Sequence, residues 1–249
     1  MKKGYQLFSA LELCQSAEGL LDTIRRIGEM GYDGVEFFDY AGVPAAQLRA
    51  ALREAGLEGF NSHVSLDRWQ NDLDAEIAYA VEAGIPMLTV PYIAPELRNA
   101  TTYARLAAEL PGYADRCEAA GLTVGYHNHD FEFAPWDGGI LLDTLLAVDA
   151  RVRLELDTFW AMYAGRDPVA CMKEYSGRLA IIHVKDYLDR TVQPPVFCAI
   201  GTGKMENVPV VRQARDLALG WVVVEQDNSQ IDVLESARLS LEGLQALGL

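Results

Sequence analysis

Glu82-Ala-Gly84-Ile85-Pro-Met87-Leu-Thr-Val90 reads as a helix end, a glycine stop and a strand, and the chain repeats that joint. Glu29-Met-Gly31-Tyr32 precedes Gly34-Val-Glu-Phe-Phe38, and Glu54-Ala-Gly56-Leu57 precedes Glu58-Gly-Phe-Asn-Ser62. Glu118-Ala-Ala-Gly121-Leu122 precedes Thr123-Val-Gly-Tyr126. Looser versions are Gly177-Arg-Leu179 before Ala180-Ile-Ile-His183, and Leu219-Gly220 before Trp221-Val-Val-Val224. Each time a segment rich in alanine and glutamate, with helical spacing, stops at a glycine, the residue that most easily turns left-handed just past a helix end. The short apolar run that follows lacks alternation, as expected of a strand covered on both faces in a parallel sheet.

Working outward from these joints, strands are predicted at 5–9, 33–38, 57–63, 87–91, 122–128, 152–157, 179–184 and 221–226. Helices fall at 16–30, 45–55, 70–83, 102–120, 137–148, 167–176, 206–218 and 231–247. Repeated βα units that close on themselves make an α/β fold of the (β/α)8 TIM barrel type, and residues 1–249 are expected to form one such domain. The rival, an open doubly wound sheet, usually carries a GxGxxG turn after its first strand. Here the first strand runs into Ser9-Ala10-Leu11-Glu12.

The 249 residues are half hydrophobic, enough for a substantial core, and carry a formal charge of −15. That balance disfavours a nucleic-acid partner, because phosphate backbones are held by basic stripes that release counterions. Cys14, Cys117, Cys171 and Cys198 are scattered, with no CxxC pair, so neither a disulfide framework nor a four-thiolate zinc site is expected. No stretch has the length of a membrane span, and Met1-Lys-Lys3 runs into Tyr5-Gln-Leu-Phe8 without the apolar run of a signal peptide. The expectation is a cytoplasmic protein with neither membrane nor nucleic acid as partner.

Active sites of such barrels lie at the C-terminal ends of the strands. All four histidines, His63, His127, His129 and His183, fall at predicted strand ends. Carboxylates join them. Arg153-Leu-Glu-Leu-Asp157, Ile181-Ile-His183-Val-Lys185-Asp186 and Val222-Val-Val-Glu225-Gln226-Asp227 each end an apolar strand in a polar group. An ionised side chain at such a tip is costly unless it is paired, solvated or bound to a cation. A rim salt bridge, for instance Asp157 with Lys185, is the plain alternative to a metal site. Mixed imidazole and carboxylate donors suit Mn²⁺, Co²⁺, Zn²⁺ or Fe²⁺ better than Ca²⁺.

Gly31-Tyr-Asp-Gly-Val-Glu36-Phe, Ser62-His63-Val-Ser, Gly121-Leu-Thr-Val-Gly-Tyr-His127-Asn-His129, Leu156-Asp157-Thr, His183-Val-Lys-Asp186 and Val224-Glu225 resemble the sugar isomerase/epimerase superfamily of xylose-isomerase-like TIM barrels, which includes inosose dehydratases and ketose 3-epimerases. The resemblance runs over nearly the whole chain in the right order. It implies one divalent metal held by Glu, Asp, His and Glu from the fifth to eighth strands. The last three carry over onto Asp157, His183 and Glu225, whereas His127 stands where the first glutamate would stand. Neutral imidazole can take that ligand's place. The two-glutamate proton shuttle of the ketose 3-epimerases is then incomplete. The expected metal set is His127, Asp157, His183 and Glu225, with Mn²⁺ first, then Co²⁺, Zn²⁺, Mg²⁺ or Fe²⁺. Glu132 is a fallback ligand.

The resemblance implies an isomerase or epimerase acting on a keto-sugar or keto-polyol through an enediolate. Glu225, His129 and His63 are its candidate catalytic groups, and Glu36, His63, His129 and Lys185 its candidate substrate contacts. The alternative is a metal-dependent lyase or dehydratase acting on an inosose or a 3-keto-glycoside. A DNA-repair activity is disfavoured by the charge, and a sugar-binding module would not need strand-tip acids. Trp69, Trp136 and Trp160 are candidates for stacking on a sugar face. Gly201-Thr-Gly203-Lys204 reads first as a turn and second as a phosphate cradle. The expected partner is a small carbohydrate, and assembly into a homo-oligomer is left open.

Overall fold

The computed structural model describes residues 1–249. Eight strands form a closed, wholly parallel barrel: β1 (Lys2–Gln6), β2 (Gly34–Phe37), β3 (Glu58–His63), β4 (Met87–Val90), β5 (Thr123–His127), β6 (Arg153–Asp157), β7 (Leu179–Val184) and β8 (Trp221–Val224). Neighbours in sequence are neighbours in the barrel, and β1 pairs with β8 to close it. The (β/α)8 expectation holds.

Local chemistry explains where the boundaries differ from those predicted. The first strand stops at Gln6 because that side chain accepts the Phe8 N–H at 3.0 Å and caps a 3-10 turn over Leu7–Ala10. The helix predicted at 70–83 is two, Leu66–Asn71 and Leu73–Ala83, and Ser65 caps the first by accepting from the Arg68 N–H. A short helix at Thr158–Tyr163 and two hairpins, Pro135–Trp136 with Gly139–Ile140 and Asp186–Asp189 with Val196–Cys198, were not foreseen. Gly31, Gly56, Gly84 and Gly121 all have positive φ, as the joints require. At the last joint Ala218 takes the left-handed conformation (φ 51°) two residues before Gly220.

Strand residues alternate between two environments. Outward ones such as Val124, Tyr126, Leu154, Leu156, Val222 and Val224 join the large core between barrel and helices. Inward ones near the barrel floor, Phe60, Met87, Ile181 and Val223, form a separate apolar plug. Because both faces are apolar at this level, the strands read as continuous hydrophobic runs. Above the plug the interior turns polar, and everything described below sits there.

Gly125 lies inside that polar level. A Cβ there would collide with the Met87 methyl and Thr89 Oγ1, and would lie 3.2 Å from Thr89 Cβ. Met87 can yield, but Thr89 is β-branched and donates to Asn61 Oδ1 at 3.0 Å. Overpacking of this kind costs about 1–3 kcal/mol. Gly125→Ala should therefore lower the urea midpoint by a corresponding amount, although alanine suits ordered backbone better than glycine; an unchanged midpoint would show that the interior gives way.

Candidate metal centre

Four strand ends converge at the mouth. His127 ends β5, Asp157 ends β6, His183 lies near the end of β7, and Glu225 follows β8. All four are buried, and one donor atom from each lies within 4.8 Å of the others. His127 Nδ1 is 3.2 Å from the Pro91 carbonyl. A carbonyl only accepts, so Nδ1 carries the proton and Nε2 presents its lone pair. That Nε2 has no hydrogen-bond partner, and neither has Asp157 Oδ2, 3.6 Å away. Glu225 Oε2 is 3.9 Å from the same nitrogen. Buried lone pairs facing one another are expensive unless something positive lies between them. The donor set fits a divalent ion.

The salt-bridge alternative is present as well. Lys185, buried at the same level, places Nζ 2.6 Å from Asp227 Oδ1, 2.9 Å from Glu225 Oε2 and 3.1 Å from Asp157 Oδ2. Burial opposes its charge, but the three carboxylates outweigh that and hold its pKa well above the ordinary lysine value. Burial also resists ionisation of Asp157, yet Lys185 and His127 bring its carboxyl down to about 2. Glu225 is held well below the ordinary range against burial by Lys185 and His183. Asp227 goes the other way, with burial pushing it up to about 6. One ammonium shared among three carboxylates leaves the mouth negative, so Lys185 and a cation are compatible occupants.

Beneath the mouth lies a second polar layer that sequence reading only half found. Glu36 and His63 were expected at the rim. Glu36 instead has no exposed surface, and His63 is only 7% exposed. Both sit among Gln6, Asn61, Glu155 and His183. A substrate hydroxyl would have to enter that layer to reach Glu36. Gln6, Asn61 and Glu155 were missed. Glu155 had a signal, since period two from Asp157 puts it on the same inward face.

The remaining expectations separate cleanly. His129 lies half-buried at the mouth, its ring 5.1 Å from that of His127. Burial, with His127 and Lys185 nearby, keeps its pKa well below the ordinary value, so it is neutral. Glu132 is not in the metal cluster: it accepts from Tyr126 Oη at 2.8 Å and from the His129 N–H at 2.7 Å. Asp186 does not pair with Lys185. It accepts the backbone N–H groups of Tyr187, Gly201, Gly203 and Met205, so the Gly201–Lys204 turn is filled by a carboxylate of this chain and is no phosphate cradle. Trp69 packs on Tyr113 and Trp136 on Tyr103. Only Trp160 reaches the mouth, 5.5 Å from the His129 ring and 5.4 Å from Lys185 Nζ.

A family model described as xylose isomerase-like TIM barrel matches residues 24–247. An inosose dehydratase of Geobacillus kaustophilus is 24% identical over 250 residues, which is 82% of this chain and 79% of the relative. A sugar phosphate isomerase/epimerase from Parabacteroides distasonis superposes with a TM-score of 0.77 at 24% identity, covering 98% of this chain and 94% of the other. An IolI protein whose crystal structure has a binding zinc atom superposes at 0.76 with 12% identity, over 99% and 98% of the two chains. At these identities the structural likenesses speak to the fold. No helix is long and apolar enough to cross a membrane.

Two measurements test the electrostatics. Removing the charge in Lys185→Met leaves Asp157, Glu225 and Asp227 without their ammonium. In excess chelator the variant should lose about 3–5 kcal/mol in urea unfolding relative to chelated wild type, and Mn²⁺ should restore part of it. Glu132 is pushed by burial from 4.5 up to about 8. A carboxyl whose pKa rises on folding stabilises below its unfolded pKa and loses that contribution as pH rises through the folded one. Stability of the wild type should therefore fall from about pH 5 to pH 8 more steeply than that of Glu132→Gln; parallel curves would refute the assignment.

Proposed function

Because this chain belongs to the xylose isomerase-like TIM barrel family, we propose that it is a divalent-metal-dependent isomerase or epimerase that moves a proton at the carbon beside the carbonyl of a keto-sugar or keto-polyol. The observation that carries this reading is the unpartnered, buried His127 Nε2, which faces the carboxylates of Asp157 and Glu225 beside His183 at the mouth. His127, Asp157, His183 and Glu225 would hold the ion. An ion held there would supply Lewis acidity toward a carbonyl and positive charge to offset an enediolate. The donors do not rank the metals; Mn²⁺, Zn²⁺, Co²⁺ and Fe²⁺ all accept imidazole and carboxylate.

Glu225 is the base. It is ionised, sits at the mouth, and is steadied by Lys185 at 2.9 Å and His183 Nδ1 at 2.8 Å. Lys185, held as an ammonium, donates to the carboxylates and offers positive charge to a substrate oxygen beside them. His129 is neutral, with an unpartnered Nδ1, and is the group placed to return the proton. Trp160 supplies an apolar face for a sugar ring.

One observation favours a second reading. With His127 fixed as a lone-pair donor by Pro91, no second carboxylate stands where a two-carboxylate shuttle needs it. Expulsion of an oxygen from the neighbouring carbon, as water in a dehydratase or as the aglycone alcohol in a lyase acting on a 3-keto-glycoside, needs only one base and one acid. The inosose dehydratase named among the relatives is in keeping with it.

NMR in D₂O, with Mn²⁺ and a panel of ketoses, inososes and 3-keto-glycosides, separates the two. Deuterium gained without elimination means isomerisation, whereas loss of water or of the aglycone alcohol means a lyase; neither exchange nor elimination with any of them would sink both. Glu225→Gln keeps the size of the side chain and removes its basicity. At saturating Mn²⁺ exchange should fall by about 10²- to 10⁴-fold, and exchange at the wild-type rate would make Glu225 a ligand only. His127→Ala should weaken metal affinity markedly, while His129→Ala should lower turnover and spare metal binding; the reverse would exchange the two roles.

A further inference from the structure

We propose that Glu36, His63, Glu155 and His183 form a second divalent-cation site one layer below the mouth. The proposal goes beyond the reaction above, since it concerns a second ion and holds whatever the substrate is. All four residues are buried, and one donor atom from each lies within 4.8 Å of the others. Their contacts close a ring in which nitrogen and oxygen alternate. His63 Nε2 is 3.1 Å from Glu36 Oε1 and 2.9 Å from Glu155 Oε2, and His183 Nε2 is 2.9 Å from Glu36 Oε1 and 2.7 Å from Glu155 Oε1.

Hydrogen bonds account for only part of that ring, His63 Nε2 meeting Glu155 Oε2 at 2.9 Å. His183 Nε2 and Glu155 Oε1 have no hydrogen-bond partner, although they are fully buried and face each other at 2.7 Å. An N–H aimed at that oxygen would have satisfied both atoms. Their closeness without such a bond is what two donors converging on a third centre produce. Ligands about 2.1 Å from an ion and at right angles stand roughly 3 Å apart, whereas a tetrahedral arrangement spreads them to roughly 3.4 Å. The observed spacing fits the right-angled case, hence an ion such as Mn²⁺, Fe²⁺ or Co²⁺ that accepts mixed nitrogen and oxygen ligands.

The surroundings hold the donors in place. The Phe8 N–H fixes the Gln6 amide by donating to Oε1, which turns Gln6 Nε2 toward Glu36 Oε1 at 2.5 Å and His63 Nδ1 at 3.4 Å; with Nδ1 accepting, the His63 proton sits on Nε2, and an ion entering the ring would displace it. Thr89 Oγ1 donates to Asn61 Oδ1, which orients Asn61 Nδ2 toward Glu36 Oε2 and Glu155 Oε2, each at 3.0 Å. Such outer donors orient metal ligands and tune their basicity. His183 faces the lower ring through Nε2 and the upper cluster through Nδ1, where it meets Glu225 Oε2 at 2.8 Å; filling both sites at once would displace the remaining ring proton to solvent and leave an imidazolate between the two ions. The competing occupant is a pair of protons on the two rings.

The test counts ions. Metal-free full-length protein is titrated with Co²⁺ and followed by visible absorption, with bound cobalt determined by elemental analysis after desalting. The wild type should saturate at two equivalents. Glu155→Gln and Glu36→Gln should each bind one, and Asp157→Asn should also bind one, held below. A wild type that saturates at one equivalent, which Asp157→Asn abolishes and Glu155→Gln retains, overturns the lower site and leaves the upper one standing. One equivalent lost in Glu155→Gln but kept in Asp157→Asn supports the lower site and overturns the upper one, with Lys185 its only cation. If those variants fail to fold, His63→Gln takes their place: loss of one equivalent relative to the wild type supports the lower site, and an unchanged count overturns it.

Discussion

Burying several carboxylates of one sign inside a barrel is the constraint around which the rest of this molecule is arranged. Glu36, Glu155, Asp157 and Glu225 are all buried within the interior or at its mouth. Like charges at such separations repel strongly where the dielectric is low, and each loses its hydration on folding. The structure answers with whatever positive or donating groups the strands can supply: Lys185 among the upper carboxylates, His63 and His183 between the lower ones, and the amides of Gln6 and Asn61 beneath. Burial alone would lower the pKa of His63, but Glu36 and Glu155 lift it to about 10. The apolar plug below and the large outer core contribute the stability from which this polar column draws.

The fold was legible because its punctuation is local. Gly31, Gly56, Gly84 and Gly121 stop helices by a conformation that other residues rarely adopt, and the runs after them are apolar on both faces. What escaped was chemistry between side chains distant in sequence. Nothing local says that Gln6 will cap its own turn and thereby end β1, or that Asp157 will begin a helix at Thr158. In the site, strand-tip position exposed Asp157, His183 and Glu225, and the family resemblance pointed to His127. Residues one step down the same strands were harder to see. Glu155 lies two residues before Asp157, inside an apolar run rather than at its tip, and Asn61 sits where β3 slips register against β2, so simple alternation does not place it.

An imidazole at position 127, where the family resemblance implies a glutamate, would change more than a ligand. A carboxylate brings a charge and a base of its own, whereas an imidazole whose Nδ1–H is given to Pro91 brings one neutral lone pair. The mouth is thereby less negative, which eases the burial of Asp157 and Glu225. In return the basic chemistry rests on fewer groups. A neutral His129, kept so by burial and by the positive charge of Lys185 close by, is the natural complement to a single ionised Glu225.

Asp157 has a second duty that bears on motion. Its Oδ1 accepts the Trp160 N–H at 3.0 Å and caps the helix Thr158–Tyr163, while Oδ2 faces the cluster. The two oxygens belong to one rigid carboxylate, so the segment carrying Trp160 cannot swing outward without turning the other oxygen away from its neighbours. This side of the entrance is a fixed wall. The ring of Trp160 is thereby held at the mouth, 5.5 Å from that of His129.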